Sequence, residues 1–377
     1  MISENFQYKT HTLLRFEVQV AEHCNLNCRN CMHYSPLAEP EFLDLEEYER
    51  DIRRLSELFC GEVDWIRLMG GEPLLNPELP DIMKLTRSSF PYGHVRIVTN
   101  GVLIDKMDNE FYEVCRDNKI EICVTKYPVN MDYQKMSEEI ADRGIKFALY
   151  GEGESRKPTM WRFPIDIRGD YDPDWNFYHC RGANDCLTLS HGRMYTCAPP
   201  AHAHHLKKYF DIDIALSERN GIDIYKAKSP EEIMEHMVHP IPFCRYCDYG
   251  NRGDYEDDWS VSEKDRYDWV SFTFCKEDIN YLKGFPDVYV YGAGKWGIKT
   301  VLRLQTLGVN VTRVLVMDKN NNPDAISGVS VAELGETGDR ASESVVLIAV
   351  AGRAKIEIQH NLLGKGFRRI IPLMHEP

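Results

Sequence analysis

Three cysteines spaced C-x3-C-x2-C, at Cys24, Cys28 and Cys31, constrain this 377-residue chain more than any other feature of its sequence. They follow an apolar, strand-like run from Leu14 to Val20. Thiolates held this closely in one loop suit a soft metal centre, above all an iron–sulfur cluster. Because three ligands do not close a four-iron cluster, one iron keeps a position open for chemistry, as catalytic zinc sites do. The alternatives are three reduced loop cysteines and a zinc site that lacks one ligand.

Strand-like and helical segments alternate along the chain after this loop. The predicted strands include Val63–Met69, His94–Val98 and Glu121–Val124, and amphipathic helical patterns separate them. Strands that alternate with helices imply βαβ units and a parallel sheet. In barrels built from such units, the chemistry lies on loops at the carboxyl ends of the strands. The cysteine loop and two later turns fall at ends of this kind.

Those two turns carry residues suited to holding a ligand. Gly70 and Gly71 allow the backbone to approach a ligand closely, and Glu72 offers an acceptor for an ammonium group. Thr99 and Asn100 form the corresponding turn after the next predicted strand. For Thr99 and Asn100 the alternative is a plain turn before a helix.

The cysteine loop, followed one strand later by a glycine-glycine-glutamate turn, resembles the signature of the radical S-adenosylmethionine (radical SAM) enzymes. This resemblance implies a partial (β/α)6 TIM-like barrel, in which the open iron of a 4Fe-4S cluster binds SAM. An electron from the cluster cleaves SAM to a 5′-deoxyadenosyl radical, which abstracts a hydrogen atom from the substrate. The residues that the resemblance implies for SAM are Gly70, Gly71 and Glu72 at the amino group, with Thr99 and Asn100 at the ribose or carboxylate.

A second group of cysteines follows in the middle of the chain. Its spacing resembles the Twitch domain, the shortened auxiliary-cluster domain of radical SAM enzymes, in which four thiolates hold a second 4Fe-4S cluster. The alternative is a four-cysteine zinc knuckle. The resemblance assigns the auxiliary cluster to Cys180, Cys197, Cys244 and Cys247.

Cys186 is left over from that set. In radical SAM epimerases a cysteine returns a hydrogen atom to the opposite face of the substrate radical, and Cys186 is the candidate for this catalytic role. An equally weighted interpretation is a buried apolar residue, which is common for free cysteine. In a third interpretation, Cys186 replaces Cys180 as a cluster ligand.

The last hundred residues predict a separate Rossmann-like module. A strand ending at Tyr291 runs into a G-x-G-x-x-G turn and a helix, and an acidic residue ends the next strand, which is the context that the dinucleotide fingerprint requires. The module either binds a nucleotide at the helix N-terminus or is a degenerate domain for dimerisation or docking. The nucleotide-binding residues would be Gly292, Gly294 and Gly297 at a phosphate, and Asp318 at a ribose hydroxyl.

Net charge, apolar runs and cysteine content argue against several functional classes of protein. A net charge of −14 without a basic stripe argues against nucleic acid as a partner. The sequence has neither an apolar run long enough for a bilayer nor an N-terminal signal peptide, so no membrane association is expected. Twelve cysteines without a secretory signal indicate a reducing, cytoplasmic location.

Three domains are therefore expected within an α/β fold: a partial barrel over 1–175, a small auxiliary iron–sulfur domain with its linker over 176–265, and a Rossmann-like domain over 283–377. The segment 151–177 is predicted as a loop-rich bridge, and 248–266 as a linker.

The favoured function is a radical SAM epimerase that acts on a carbinol carbon of a nucleotide-linked sugar or polyol. One alternative is a radical SAM alcohol dehydrogenase, in which the auxiliary cluster accepts an electron. A peptide-modifying maturase is less expected, because nothing that resembles a leader-recognition domain precedes residue 13. The expected partners are a reductant such as flavodoxin or ferredoxin and a second copy of the chain, bound through the C-terminal domain.

Overall fold

A computed structural model describes residues 14–150, 164–180, 182–248, 256–337, 340–352, 354–374 and 376–377, and also the backbone of 159–161. For 256–258 it likewise describes the backbone alone. The chain divides into two compact units. Unit 1 contains the described residues up to Thr159, together with Asp170–Cys247 and Trp259–Val261. Unit 2 contains Met160–Gly169, Asp248–Asp258 and Ser262–Pro377.

Unit 1 is built on one eight-stranded sheet. Its strands are β1 (Arg15–Ala21), β2 (Trp65–Gly70), β3 (His94–Thr99), β4 (Glu121–Thr125), β5 (Phe147–Tyr150), β7 (Thr188–Ser190), β8 (Arg193–Tyr195) and β9 (Gly221–Asp223). The order across the sheet is β5-β4-β3-β2-β1-β7-β8-β9. The six strands from β5 to β7 are parallel, and β7, β8 and β9 pair antiparallel. Six parallel strands confirm the predicted α/β barrel sheet, and the middle cysteine region extends it.

Helices cover one face of this sheet because apolar and polar side chains alternate along the strands, so that one face is apolar. In β1, Phe16 and Val18 join the apolar core beneath the helices, whereas Glu17 and Gln19 point to the opposite, inner face. The first helix begins after its N-cap residue Asp44, whose side chain accepts the Glu47 N–H. The helices of unit 1 are α1 (Leu45–Leu58), α2 (Leu79–Ser89), α3 (Asn109–Asp117), α4 (Tyr133–Asp142), α5 (Pro173–His179), α6 (Ala198–Phe210) and α7 (Pro230–Met237).

Unit 2 contains a six-stranded sheet flanked by helices. The elements from residue 276 onward are α8 (Lys276–Lys283), β11 (Val288–Tyr291), α9 (Lys295–Thr306), β12 (Arg313–Val316), β13 (Ala325–Ile326), β14 (Val329–Glu333), β15 (Val345–Ile348), α10 (Ala354–Gly364) and β16 (Arg369–Pro372). The order across the sheet is β13-β14-β12-β11-β15-β16. In chain order, the five parallel strands run 3-2-1-4-5, which is the doubly wound order of a Rossmann-like fold. The short strands β6 (Thr159–Trp161) and β10 (Glu256–Asp258) lie outside that sheet.

Two segments differ from the sequence-based prediction. The bridge predicted over 151–177 ends in a helix, α5, which Asp172 caps by accepting the N–H groups of Asp174 and Trp175; its residues 151–158 and 162–163 lie outside the described part. The linker predicted over 248–266 is not only a connection, since Trp259–Val261 packs within unit 1. None of the described helices has the length and apolar character needed to cross a bilayer.

Candidate functional site

The turn after β2 is locked onto the start of the cysteine loop. The Gly71 N–H donates to the Ala21 carbonyl at 2.8 Å, and the Glu72 N–H donates to the His23 carbonyl at 3.1 Å. A Cβ atom on Gly71 would lie 2.0 Å from the His23 oxygen. Gly70 has φ +147°, and its Cβ would lie 2.5 Å from the Ala21 oxygen. Only glycine fits either position, because the two backbones are in direct contact.

Glu72 ties this turn to the next one. Its fully buried carboxylate accepts the Thr99 hydroxyl at 2.5 Å, the Asn100 N–H at 2.9 Å and the Leu74 N–H at 3.1 Å. Burial raises the pKa of Glu72 to about 7, although all three hydrogen bonds act to lower it. The carboxylate therefore organises the site, beyond offering an acceptor to a ligand.

Asn100 completes the link to the cysteines. Its side-chain amide donates to Asn25 Oδ1 at 2.7 Å and lies 3.7 Å from the Cys24 sulfur. The two turns predicted from the sequence and the cysteine loop thus form one continuous site at the carboxyl ends of β1, β2 and β3.

A late segment of the chain also reaches this loop. Trp259 Nε1 donates to the Cys28 sulfur at 3.1 Å, and the Arg29 N–H donates to the Ser260 carbonyl at 2.9 Å. Cys28 and Val261 form an antiparallel bridge. No local pattern in the sequence indicates these contacts, because they join residues that lie far apart along the chain.

Cys186 lies toward the inner face of the sheet. It lies beside Arg67, whose Nη1 donates to Glu17 Oε1 at 2.7 Å. Burial, with the negative charges of Glu17 and Asp185, raises the pKa of Cys186, and Arg67 only partly opposes this. The thiol is therefore protonated at neutral pH.

Cys123 is a second thiol on this face, and it was not among the predicted site residues. Burial raises its pKa, and the neighbouring charges that act on it are those of Arg96, Glu121 and Arg67. Strand alternation was the signal that could have placed it here, because Ile122 and Val124 join the apolar core on the other side.

The four predicted auxiliary cysteines lie at element ends. Cys180 follows α5, and Cys197 precedes α6. The side-chain amide of the buried Asn176 donates to the carbonyls of Cys244 and Cys247, at 2.7 Å each. Helix α5 is therefore fixed against the C-x2-C turn.

Residues 18–143 match the family model described as the Radical SAM superfamily. The chain contains a radical SAM domain. GTP 3′,8-cyclase of Chlorobaculum tepidum is 32% identical over 100 residues, which make up 26% of this chain and 29% of that protein. Molybdenum cofactor biosynthesis protein 1 of Bos taurus is 37% identical over 98 residues, or 26% and 15% of the two chains. The chain spans less than a third of the length of these curated relatives.

The similarity to solved structures is weaker. BtrN in complex with AdoMet and 2-DOIA covers 65% of this chain and 99% of its own, at 18% identity and a TM-score of 0.40. Streptococcus suis SuiB bound to S-adenosylmethionine covers 38% of this chain and 35% of its own, at 17% identity and a TM-score of 0.30.

The radical SAM superfamily implies SAM and a 4Fe-4S cluster, and the residues of this domain fit both. Cys24, Cys28 and Cys31 supply three thiols from one loop, which leaves one iron open. The Cys24 sulfur accepts the Leu26 N–H at 3.3 Å, and the Cys28 sulfur accepts the Trp259 indole, as suits charged thiolates. The close backbone contact that excludes a Cβ at Gly71 shapes the turn next to them.

The glycine turn of unit 2 joins the end of β11 to the start of α9. A Cβ on Gly297 would lie 1.7 Å from the Gly292 carbonyl, so α9 packs directly on the end of β11. Gly294 is the N-cap of α9, and a Cβ added to it would meet no heavy atom within 4 Å, so this side of the turn is open. Asp318 is exposed after β12, and its Oδ1 accepts the Asn320 N–H at 2.8 Å. A nucleotide role for these residues remains a prediction.

Proposed function

We propose that this chain is a radical SAM enzyme that inverts a carbinol carbon of a nucleotide-linked sugar or polyol, with Cys186 as the hydrogen donor. The observation that carries the proposal is the position of the buried Cys186 thiol on the inner face, beside Glu17 and Arg67. A neutral thiol gives up a hydrogen atom, whereas a thiolate has none to give. The Glu17–Arg67 pair adds charged hydrogen-bonding groups suited to a hydroxylated substrate.

Cys24, Cys28 and Cys31 would hold the 4Fe-4S cluster. Gly70, Gly71, Glu72, Thr99 and Asn100 would surround SAM. When bound, these cofactors supply a carbon radical that removes one hydrogen atom from the substrate. The residues of the chain then orient the substrate and keep water away from its radical centre.

Cys186 completes the inversion by hydrogen-atom transfer. Its S–H bond breaks while a C–H bond forms on the opposite face of the substrate carbon. The sulfur radical that remains needs one electron and one proton to become a thiol again. A reductant of the flavodoxin or ferredoxin class would supply that electron, and Cys180, Cys197, Cys244 and Cys247 would hold an auxiliary 4Fe-4S cluster suited to electron transfer.

Unit 2 would bind a nucleotide at its glycine turn. The open side of Gly294 and the tight contact between Gly292 and Gly297 support a phosphate at the start of α9. Asp318 would accept a ribose hydroxyl. The alternative for unit 2 is docking or self-association, which a chain with Asp318→Ala and full activity toward the same substrate would favour.

The test is product analysis in D2O with anaerobically reconstituted protein, SAM and a panel of nucleotide sugars and polyols. The wild type should place one solvent deuterium at the inverted carbon. Cys186→Ala should still cleave SAM but should yield no inverted product. Cys123→Ala is the matched control, because it removes the other described inner-face thiol and should keep inversion.

Three other results would change the assignment. Oxidised product without solvent deuterium, unaffected by Cys186→Ala, would identify an alcohol dehydrogenase. Loss of inversion in Cys123→Ala alone would transfer the donor role to Cys123. A wild-type chain that loads iron but does not cleave SAM would reject radical chemistry altogether.

A further inference from the structure

A second polar cluster lies next to the cysteine loop and uses none of its thiols. Glu22 leaves the end of β1, and His202 and His205 come from α6. Glu22 Oε2 is 2.7 Å from His205 Nε2 and 3.6 Å from His202 Nδ1. One ligand atom from each of the three residues lies within 4.8 Å of the others. Among the described residues, this is the group of three whose atoms come together in the way that a metal ion requires.

Helix geometry explains why the two histidines meet. His202 and His205 are three residues apart on α6, so their side chains project from the same face. His204, on the intervening turn, instead places Nδ1 3.2 Å from the Ala201 carbonyl. The spacing therefore places the imidazoles of His202 and His205 beside Glu22, whereas that of His204 lies elsewhere.

His202 is the residue that needs a ligand. It is fully buried, and neither of its ring nitrogens has a hydrogen-bond partner among the described residues. A buried polar group without a partner is costly. A metal ion on one of these nitrogens would remove that cost.

Gln19 adds a second unsatisfied atom. Its Nε2 donates to Glu22 Oε2 at 2.5 Å, whereas its buried Oε1 has no partner among the described residues. Like the ring nitrogens of His202, this oxygen is a buried polar atom without a partner among the described residues, and it belongs to a side chain that bonds to Glu22.

We propose that Glu22, His202 and His205 bind a divalent transition-metal ion, with Zn²⁺ as the first candidate. Two histidines and one glutamate form a ligand set that catalytic zinc sites use, and such a set leaves a position for an oxygen ligand. A hydroxyl or phosphate oxygen of a bound small molecule is the class of ligand that would fill it. Nitrogen and oxygen donors also separate this site chemically from the thiolate sites.

This inference does not depend on the proposed epimerase reaction. It competes with a simpler interpretation, in which His205 is only a hydrogen-bond partner of Glu22 and His202 is only a buried side chain. The 2.7 Å contact between Glu22 and His205 fits this interpretation as well. The two interpretations differ in whether the protein retains zinc on nitrogen and oxygen.

The test loads the full-length protein with iron and sulfide anaerobically, adds one equivalent of ZnSO4, and removes unbound metal by desalting. Zinc and iron are then counted by mass spectrometry, and the zinc environment is determined by X-ray absorption. The wild type should retain zinc in a nitrogen and oxygen shell that shows imidazole scattering. Glu22→Gln and His202→Asn should bind zinc at least about 10-fold more weakly with unchanged iron content. His204→Asn, the matched control, should retain it.

Sulfur in the zinc shell would overturn the proposal, because it would place the ion on cysteines. Retention of zinc by both ligand variants, or failure of the wild type to retain it, would do the same. If the variants do not load iron, the absorption spectrum of the wild type decides by itself between nitrogen and sulfur ligands.

Discussion

Gly71→Ala is the sharpest test of how the SAM-site turn is attached to the cysteine loop. The added Cβ would lie 2.0 Å from the His23 oxygen and 2.3 Å from its carbonyl carbon, far inside ordinary contact distance. The turn must therefore move away from the loop by roughly 1 Å or more, with an overpacking cost of about 1–3 kcal/mol. That movement also weakens the bonds from the N–H groups of Gly71 and Glu72, worth about 0.5–1.5 kcal/mol each. The expected loss of unfolding free energy is about 2–6 kcal/mol.

Urea unfolding of the cluster-free protein, followed by circular dichroism, measures this loss. Iron content after anaerobic reconstitution should also fall, because the displaced turn no longer supports the cysteine loop. Gly294→Ala is the matched control: its φ is −78°, its Cβ meets no atom within 4 Å, and it should change stability by less than about 0.5 kcal/mol. If Gly71→Ala matched that control in both stability and iron content, the two segments would not be packed as described.

Three further predictions concern other residues of unit 1. Trp259→Phe removes the N–H donor to the Cys28 sulfur and should lower the midpoint potential of the first cluster by about 40 mV in a redox titration; an unchanged potential would contradict it. The pKa of Glu72 is raised to about 7 from 4.5, so the folded chain keeps a proton that the unfolded chain has released. The retained proton on Glu72 stabilises the folded state below pH 4.5, and this stabilisation is lost as the pH rises to 7. From pH 4.5 to pH 7, the unfolding free energy of the cluster-free wild type should therefore fall by about 3 kcal/mol relative to that of Glu72→Gln, which does not titrate. If urea unfolding gave the two proteins the same pH dependence, the burial argument would be refuted. Asn176→Ala removes both hydrogen bonds to the C-x2-C turn and should reduce the iron bound by the chain toward one cluster; a full iron count would argue against that role.

The parts of the fold and site that sequence could predict are those set by local pattern. Alternating strands and helices indicated the parallel sheet, and the glycines at Gly70 and Gly71 marked a turn with no space for a side chain.

Contacts between residues far apart along the chain could not be predicted from local sequence patterns. The hydrogen bond from Trp259 to Cys28 depends on a return of the chain that no local signal encodes. The meeting of Glu22 with His202 depends on where α6 packs, which periodicity cannot give. Cys123 was missed for a different reason: the alternation of its strand, with Ile122 and Val124 on the apolar face, was not used to assign Cys123 to the other face.

The pairing of Cys28 with Val261 has a consequence for biosynthesis. The cysteine loop leaves the ribosome early, but the segment that closes against it is made near the end of unit 1. At about 5–20 residues per second, the nascent loop waits roughly 10–50 seconds for that segment. Its thiols meet the cell's iron donors and oxidants without their final cover during that interval, so the timing of metal delivery, as well as affinity, decides how much of the newly made protein matures.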